Sequence, residues 1–122
     1  DLEDAVLPDR KPQAREMMRQ YLDSQGDRSR LWVRVNDLSS GEILRDLAKT
    51  VPARPAGILL PKIRGPEDVA IVGHYLDALE AEHGLEPGQI GGPAGTWKRS
   101  CNVIPLRRHS AGIAGGCSRG GA

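Results

Sequence analysis

Apolar and polar positions alternate along the first ninety residues in two different rhythms. From Leu7 to Asp23 the apolar side chains of Ala14, Met17, Met18, Tyr21 and Leu22 recur at i, i+3, i+4, i+7 and i+8, the spacing of one face of a helix. "SQGDRSR" interrupts it, and "LWVRVN" follows as a short β-branched run that reads as a strand. Ser39 and Glu42 stand at capping-box spacing before Ile43, Leu44 and Leu47, which predicts a second helix ending before Pro52. "GILLP" is a continuous apolar run too short for a helix, as expected of a strand covered on both faces. Pro66 opens a third helix with Glu67 and Asp68 in its first turn. Val69, Val72, Leu76 and Leu79 form its stripe, and Gly84 stops it. "LEPGQI" points toward a further strand.

Alternating strands and helices of this length predict a parallel α/β sheet with right-handed crossovers. Trp32 and Tyr21 are expected in the core, and His74 and His83, off the stripe of the third helix, in solvent. Beyond Ile90 both rhythms stop. Residues 91–122 hold eight glycines, and their apolar cluster "NVIPL" is interrupted by proline, so little fixed structure is expected there.

Composition sharpens that division. Phe is absent and Gly plus Pro supply 24 of the 122 residues, so the core must rest on Leu, Val, Ile and Ala. The formal charge of +1 conceals a split: residues 91–122 carry five basic side chains and no acid, whereas the acids end at Glu86. With no long apolar run and no signal-like start, the chain is expected to be soluble and cytoplasmic. Cys101 and Cys117 do not form the dense framework of a secreted mini-protein and are expected as thiols.

In parallel α/β folds the functional groups gather where strands run into the following loops. Three such ends are legible: Asp1, Glu3 and Asp4 in "DLEDAV", Arg34 and Asn36 in "VRVN", and Lys62 after "LLP". An arginine between two valines needs a carboxylate neighbour or an anionic ligand to offset its desolvation. The spacing alone gives a structural ion pair and ligand binding equal standing. Lys62 reads more readily as a loop or ion-pair residue than as a substrate contact.

"DLEDAV", "VRVN" and "LPK", in this order with helices between them, resemble the HpcH/HpaI aldolase and citrate lyase beta-subunit family, in particular its citrate-lyase-beta and malyl-CoA-lyase-like branch. The resemblance covers about residues 1–90. It implies a TIM (β/α)8 barrel, of which this chain would hold strands two to four. It also implies carbon–carbon bond formation or cleavage between an acyl-thioester, on CoA or an acyl carrier, and a 2-oxo acid such as oxaloacetate or glyoxylate, with Mg²⁺. On that likeness "DLEDAV" ends barrel strand two, "LWVRVN" is strand three and "GILLPK" strand four. Arg34 would bind a carboxylate of the oxo acid, since a guanidinium fork meets a carboxylate with two parallel hydrogen bonds. Asp1, Glu3 and Asp4 would lie beside the metal, orienting its water or Arg34. Asn36 and Lys62 would share the active-site face.

The family's direct metal ligands, a Glu in an "ET" motif and a later Asp, have no counterpart after Glu86. The expectation is therefore a fragment of a lyase, 1–90, joined to a tail, 91–122, that is disordered or out of frame, with no metal bound and no activity alone. The competing expectation is a non-catalytic remnant or interaction module that pairs through open sheet edges, with itself or with a homologue. An open α/β domain unrelated to barrels has the same local elements. Within the tail, Lys98, Arg99, Arg107, Arg108 and His109 give thin support for a nucleic-acid arm. Cys101, His109 and Cys117 lack a fourth zinc ligand, and the glycines lack the lysine of a phosphate loop.

Overall fold

The computed structural model describes residues 1–86 and 88 and the backbone of 104–105. After a 3₁₀ turn at Pro8–Arg10 come α1 (Lys11–Ser24), β1 (Trp32–Arg34), a 3₁₀ turn at Leu38–Ser40 and α2 (Ile43–Thr50). A further 3₁₀ turn, Val51–Ala53, precedes β2 (Gly57–Leu60), α3 (Pro66–Glu82) and β3 (Ile104–Pro105). Strands β1 and β2 pair in parallel, Trp32 opposite Gly57 and Arg34 opposite Leu59. The α2 crossover between them is what a parallel pair requires. The unit of three helices and two parallel strands is a small α/β fragment consistent with part of a barrel.

Burial follows the strand period. Val33 and Val35 of the first strand run and Ile58 and Leu60 of the second are sealed beneath the helices, while Trp32 and Arg34 alternate to the other side. Helix α3 is the element closest to expectation. Val69, Val72 and Leu76 are wholly buried, Leu79 packs at the margin, and His74 and His83 are exposed. Gly84 takes a left-handed φ of 65° just past its end, and Leu85 N–H donates to Glu80 O at 2.8 Å.

Helices α1 and α2 depart from their expected faces only at their edges. Met17 and Tyr21 of α1 are 62% and 57% exposed, so Tyr21 is not a core residue, and Leu44 of α2 is 53% exposed. The helix contact is filled instead by Arg15 and Asp46, both buried and joined by an ion pair. The pair sits beside Ala14, Met18 and Leu22 of α1 and the buried Ile43 and Leu47 of α2, so most of each expected stripe packs inward and only Met17, Tyr21 and Leu44 fall outside it. The Ser39–Glu42 capping box does not form either. Asp37 caps the Leu38–Ser40 turn, Ser40 Oγ accepts from Glu42 N–H at 3.0 Å, and the Glu42 carboxylate is drawn across to Arg15.

"DLEDAV" is not the end of a regular strand in this structure. It forms a turn, tied to β1 by a backbone bond from Leu2 N–H to Arg34 O at 2.9 Å. The sheet edge expected to be open beyond "GILLP" is covered at Leu59 and Leu60 by β3, antiparallel, with Leu59 opposite Pro105 and Leu60 opposite Ile104. Part of "NVIPL" thus has a place in the sheet. The other expectations for 91–122, including those for Lys98, Arg99, Cys101, Arg107, Arg108, His109 and Cys117, fall outside the described residues, as do Pro87, Gln89 and Ile90 of "LEPGQI". No helix among the described residues is long and apolar enough to cross a membrane.

Candidate active site at the strand ends

Three chain segments converge at the carboxyl ends of β1 and β2. Arg34 is the last residue of β1, and Lys62 stands two residues beyond β2. The turn at residues 1–6 lies against both. Strand alternation sends Arg34 to the side opposite the helices, where its guanidinium can remain partly in water while its stem is covered.

All the guanidinium's outward edges are engaged. Nε donates to Asp1 Oδ1 at 3.0 Å and Nη2 to Asp1 Oδ2, a two-pronged contact with one carboxylate, and Nη1 lies 3.3 Å from Glu3 Oε2. Glu3 is the pivot. Its side chain is only 4% exposed, yet Oε1 lies 3.3 Å from Lys62 Nζ, so one buried carboxylate is shared by the cations of two strand ends. Lys62 also lies 3.7 Å from Asp4 Oδ1. The hydrogen bond to Glu3, reinforced by the Asp4 and Glu3 charges, raises the Lys62 pKa above its ordinary value. Its ammonium therefore stays charged throughout the neutral range. Lys62 holds this position at a left-handed φ of 53°, a conformation disfavoured for a residue with a Cβ.

Asp37, at the start of the loop after β1, has its carboxyl held below the usual range by the hydrogen bond from Ser39, with the Lys62 charge contributing. Asn36 lies inside rather than on the exposed face, 4% exposed and fully committed. Its side chain accepts from Lys11 Nζ at 2.6 Å and donates to Leu2 O and Asp46 Oδ2 at 2.9 and 2.6 Å. The structure thus brings together Asp1, Glu3, Asp4, Arg34 and Lys62, and turns Asn36 to their support.

The supporting residues Lys11, Arg15, Glu42 and Asp46 were not singled out by sequence reasoning. The available signal was charge at helical positions that should have been apolar: Arg15 lies four residues after Lys11, beside Ala14 and Met18, and Asp46 sits between Ile43 and Leu47. Burial alone would lower the Arg15 pKa, but its hydrogen bonds to Asp46 and Glu42 outweigh it and raise it.

Mg²⁺ is usually held by one or two carboxylates whose oxygens are free to face it, together with waters. Asp1, Glu3 and Asp4 each face a cationic side chain instead, and no group of three or more His, Cys, Asp or Glu among the described residues is gathered to hold an ion. These residues do not by themselves fit a metal.

A cleft of about 560 Å³ between the 1–6 turn, α1 and β1 is bordered by Asp1, Val6, Met17, Tyr21, Leu31 and Trp32. Its lining is mainly apolar, and through Asp1 it adjoins the charged cluster.

Comparison with known proteins places the sequence among relatives. The chain is 40% identical over 91 residues to the malyl-CoA/beta-methylmalyl-CoA/citramalyl-CoA lyase of Chloroflexus aurantiacus, a match covering 70% of this chain and 26% of that protein. The chain thus spans about a quarter of the length of the curated relative it matches. The family model for HpcH/HpaI aldolase/citrate lyase matches residues 1–93, the stretch that contains every strand-end residue described above, and the chain belongs to that family.

Proposed function

We propose that this chain contributes the carboxylate-anchoring arm of a carbon–carbon lyase or aldolase that acts on an acyl-thioester and a 2-oxo acid such as glyoxylate or oxaloacetate. The observation that carries this reading is the two-pronged contact between Arg34 and Asp1. It is the geometry in which a guanidinium receives a carboxylate, presented at the carboxyl end of a parallel strand. The Asp1 side chain stands where a substrate carboxylate would lie and must yield to it. Glu3 keeps the guanidinium aimed through Nη1, and Lys62, on the same Glu3 carboxylate, adds positive charge beside the bound acid.

Arg34 would bind and orient the oxo acid, and Lys62 would hold its proton at Nζ and stabilise negative charge nearby. No described side chain is a free base within reach of Arg34, so proton transfer from the thioester partner is left to groups beyond this unit. In the family as the motifs imply it, Mg²⁺ supplies charge stabilisation at the oxo acid. The described residues hold no seat for it, and no step here depends on it. We place the lyase-type unit at residues 1–90 as strands two to four of a barrel, without activity of its own. The alternative of a module that pairs through open edges is weakened at β2, where β3 covers Leu59 and Leu60.

The test is a titration of the purified chain with glyoxylate, followed through the Nε–H resonance of arginine side chains by ¹H–¹⁵N NMR. Arg34 is expected to respond and its Arg34→Lys variant to lose binding, while acetyl-CoA, glyoxylate and Mg²⁺ together give no turnover. A wild-type chain whose Arg34 signal ignores glyoxylate overturns the anchoring role, and turnover overturns the claim of inactivity.

A further inference from the structure

The turn at residues 1–6 carries the acids of the strand-end site, yet it is not part of a β ladder. Two side chains grip its backbone: Lys11 from α1, and Asn36, which Asp46 of α2 holds in place. Lys11, the first residue of α1, spends all three ammonium protons inward: on Leu2 O at 3.0 Å, Glu3 O at 3.1 Å and Asn36 Oδ1 at 2.6 Å. From the other side, Asp46 Oδ2 accepts from both the backbone N–H and the side-chain amide of Asn36, at 2.7 and 2.6 Å. The same Asn36 amide nitrogen donates to Leu2 O. Asp46 is itself immobilised, since Oδ1 takes Arg15 Nε at 2.7 Å and no part of the residue is exposed.

We propose that Lys11 and Asp46 are positioning residues for the strand-end cations: they grip Asn36 from two sides and the Leu2 and Glu3 carbonyls from one, and so hold the Glu3 carboxylate between Arg34 and Lys62. Neither touches the anion that Arg34 would bind. They act on the peptide units flanking Glu3, one residue removed from its charge. A buried polar cluster serving stability alone has no need to end on those two carbonyls. Here the last link of the network is the backbone of the residue whose side chain is 3.3 Å from both cations. The inference adds to the carboxylate-anchoring role of Arg34 and rests on it for its functional meaning, although the geometry it predicts can be read without ligand.

The test uses Lys11→Met, which keeps chain length and removes the three donors, and Asp46→Asn, which keeps shape and removes the charge. The Arg34 Nε–H resonance of the ligand-free chain, assigned by its loss in Arg34→Lys, is the readout that a merely stabilising role would leave in place. In Lys11→Met it is expected to move to the position of solvated arginines and to exchange faster with water, while backbone amides of α3 stay where they are. Asp46→Asn is expected to do the same if it folds, and if it does not, Lys11→Met decides alone. An unchanged Arg34 resonance in folded Lys11→Met overturns the proposal. Glyoxylate affinity supplies the second arm, expected to weaken about tenfold or more in Lys11→Met. If the wild type does not bind glyoxylate, the anchoring role fails by itself, and the ligand-free comparison still settles whether Lys11 positions Arg34.

Discussion

Arg15 Nε lies 2.7 Å from Asp46 Oδ1 across the contact between α1 and α2, and neither side chain has appreciable access to water. A second carboxylate, from Glu42, meets the same guanidinium at Nη2. Two charges taken out of water cost several kcal/mol each, and what offsets that cost is the completeness of their hydrogen bonding. Asp46 accepts from Arg15 and twice from Asn36, which engages three of its carboxylate's four lone-pair sites.

Removing one partner should therefore hurt more than removing both. Asp46→Ala is expected to destabilise the chain by about 3–5 kcal/mol because it leaves the buried Arg15 guanidinium to Glu42 alone and removes the acceptor of two Asn36 donors. The Arg15→Met/Asp46→Leu double variant should lose much less than the sum of its single changes. Urea unfolding of the wild type, Arg15→Met, Asp46→Leu and the double variant checks this, and simple additivity would contradict it.

Acid should act through carboxylates whose folded-state pKa is depressed. The Glu42 carboxyl is held down by its hydrogen bond to Arg15, and that of Asp68 by the Arg64 backbone N–H, 3.0 Å away, and then by the Arg64 side chain. A depressed pKa contributes stability above the unfolded-state value, near 4 for a carboxyl, that is lost as pH falls through the lower folded value. Stability is thus expected to be flat from about pH 8 to 5 on account of these groups and to fall below about pH 4. Asp68→Asn should be less stable than wild type at pH 7 and approach it at low pH, as thermal unfolding across pH would report.

Trp32 and Gly57 face each other in register, and a Cβ on Gly57 would sit 2.3 Å from the Trp32 ring. Gly57→Ala is expected to cost about 1–3 kcal/mol through this overlap. Trp32→Leu in the same chain should recover part of it. A Gly57→Ala chain with unchanged melting temperature would mean that the ring moves aside freely.

Lys62 combines a strained backbone with two ion pairs, and substitution can separate them. Lys62→Ala and Lys62→Gly both lose the contacts with Glu3 and Asp4, but only glycine is at ease at φ 53°. Lys62→Gly is expected to be about 1 kcal/mol more stable than Lys62→Ala. Equal stabilities would show that the left-handed conformation carries no strain.

Much of this unit was determined by the sequence itself. The stripe of α3, the doubly covered run of β2 and the β-branched run of β1 each repeat a local period often enough to define an element and its buried side. The motifs "VRVN" and "DLEDAV" also marked Arg34, Glu3 and Asp1 as residues that need partners. Which partners they take was decided by tertiary structure. Periodicity counts apolar side chains, so it directed Met17, Tyr21 and Leu44 inward and passed over Arg15 and Asp46. Those two enter the core as a pair from residues 31 positions apart, and neither has a reason to be buried without the other. The turn at 1–6 likewise carries no local signal for its position. It is held by Lys11 and Asn36, whose hydrogen bonds exist only once α1 and β1 lie side by side. Local periods arise from one segment's own geometry, whereas a buried charge is stable only where a distant segment completes its hydrogen bonds.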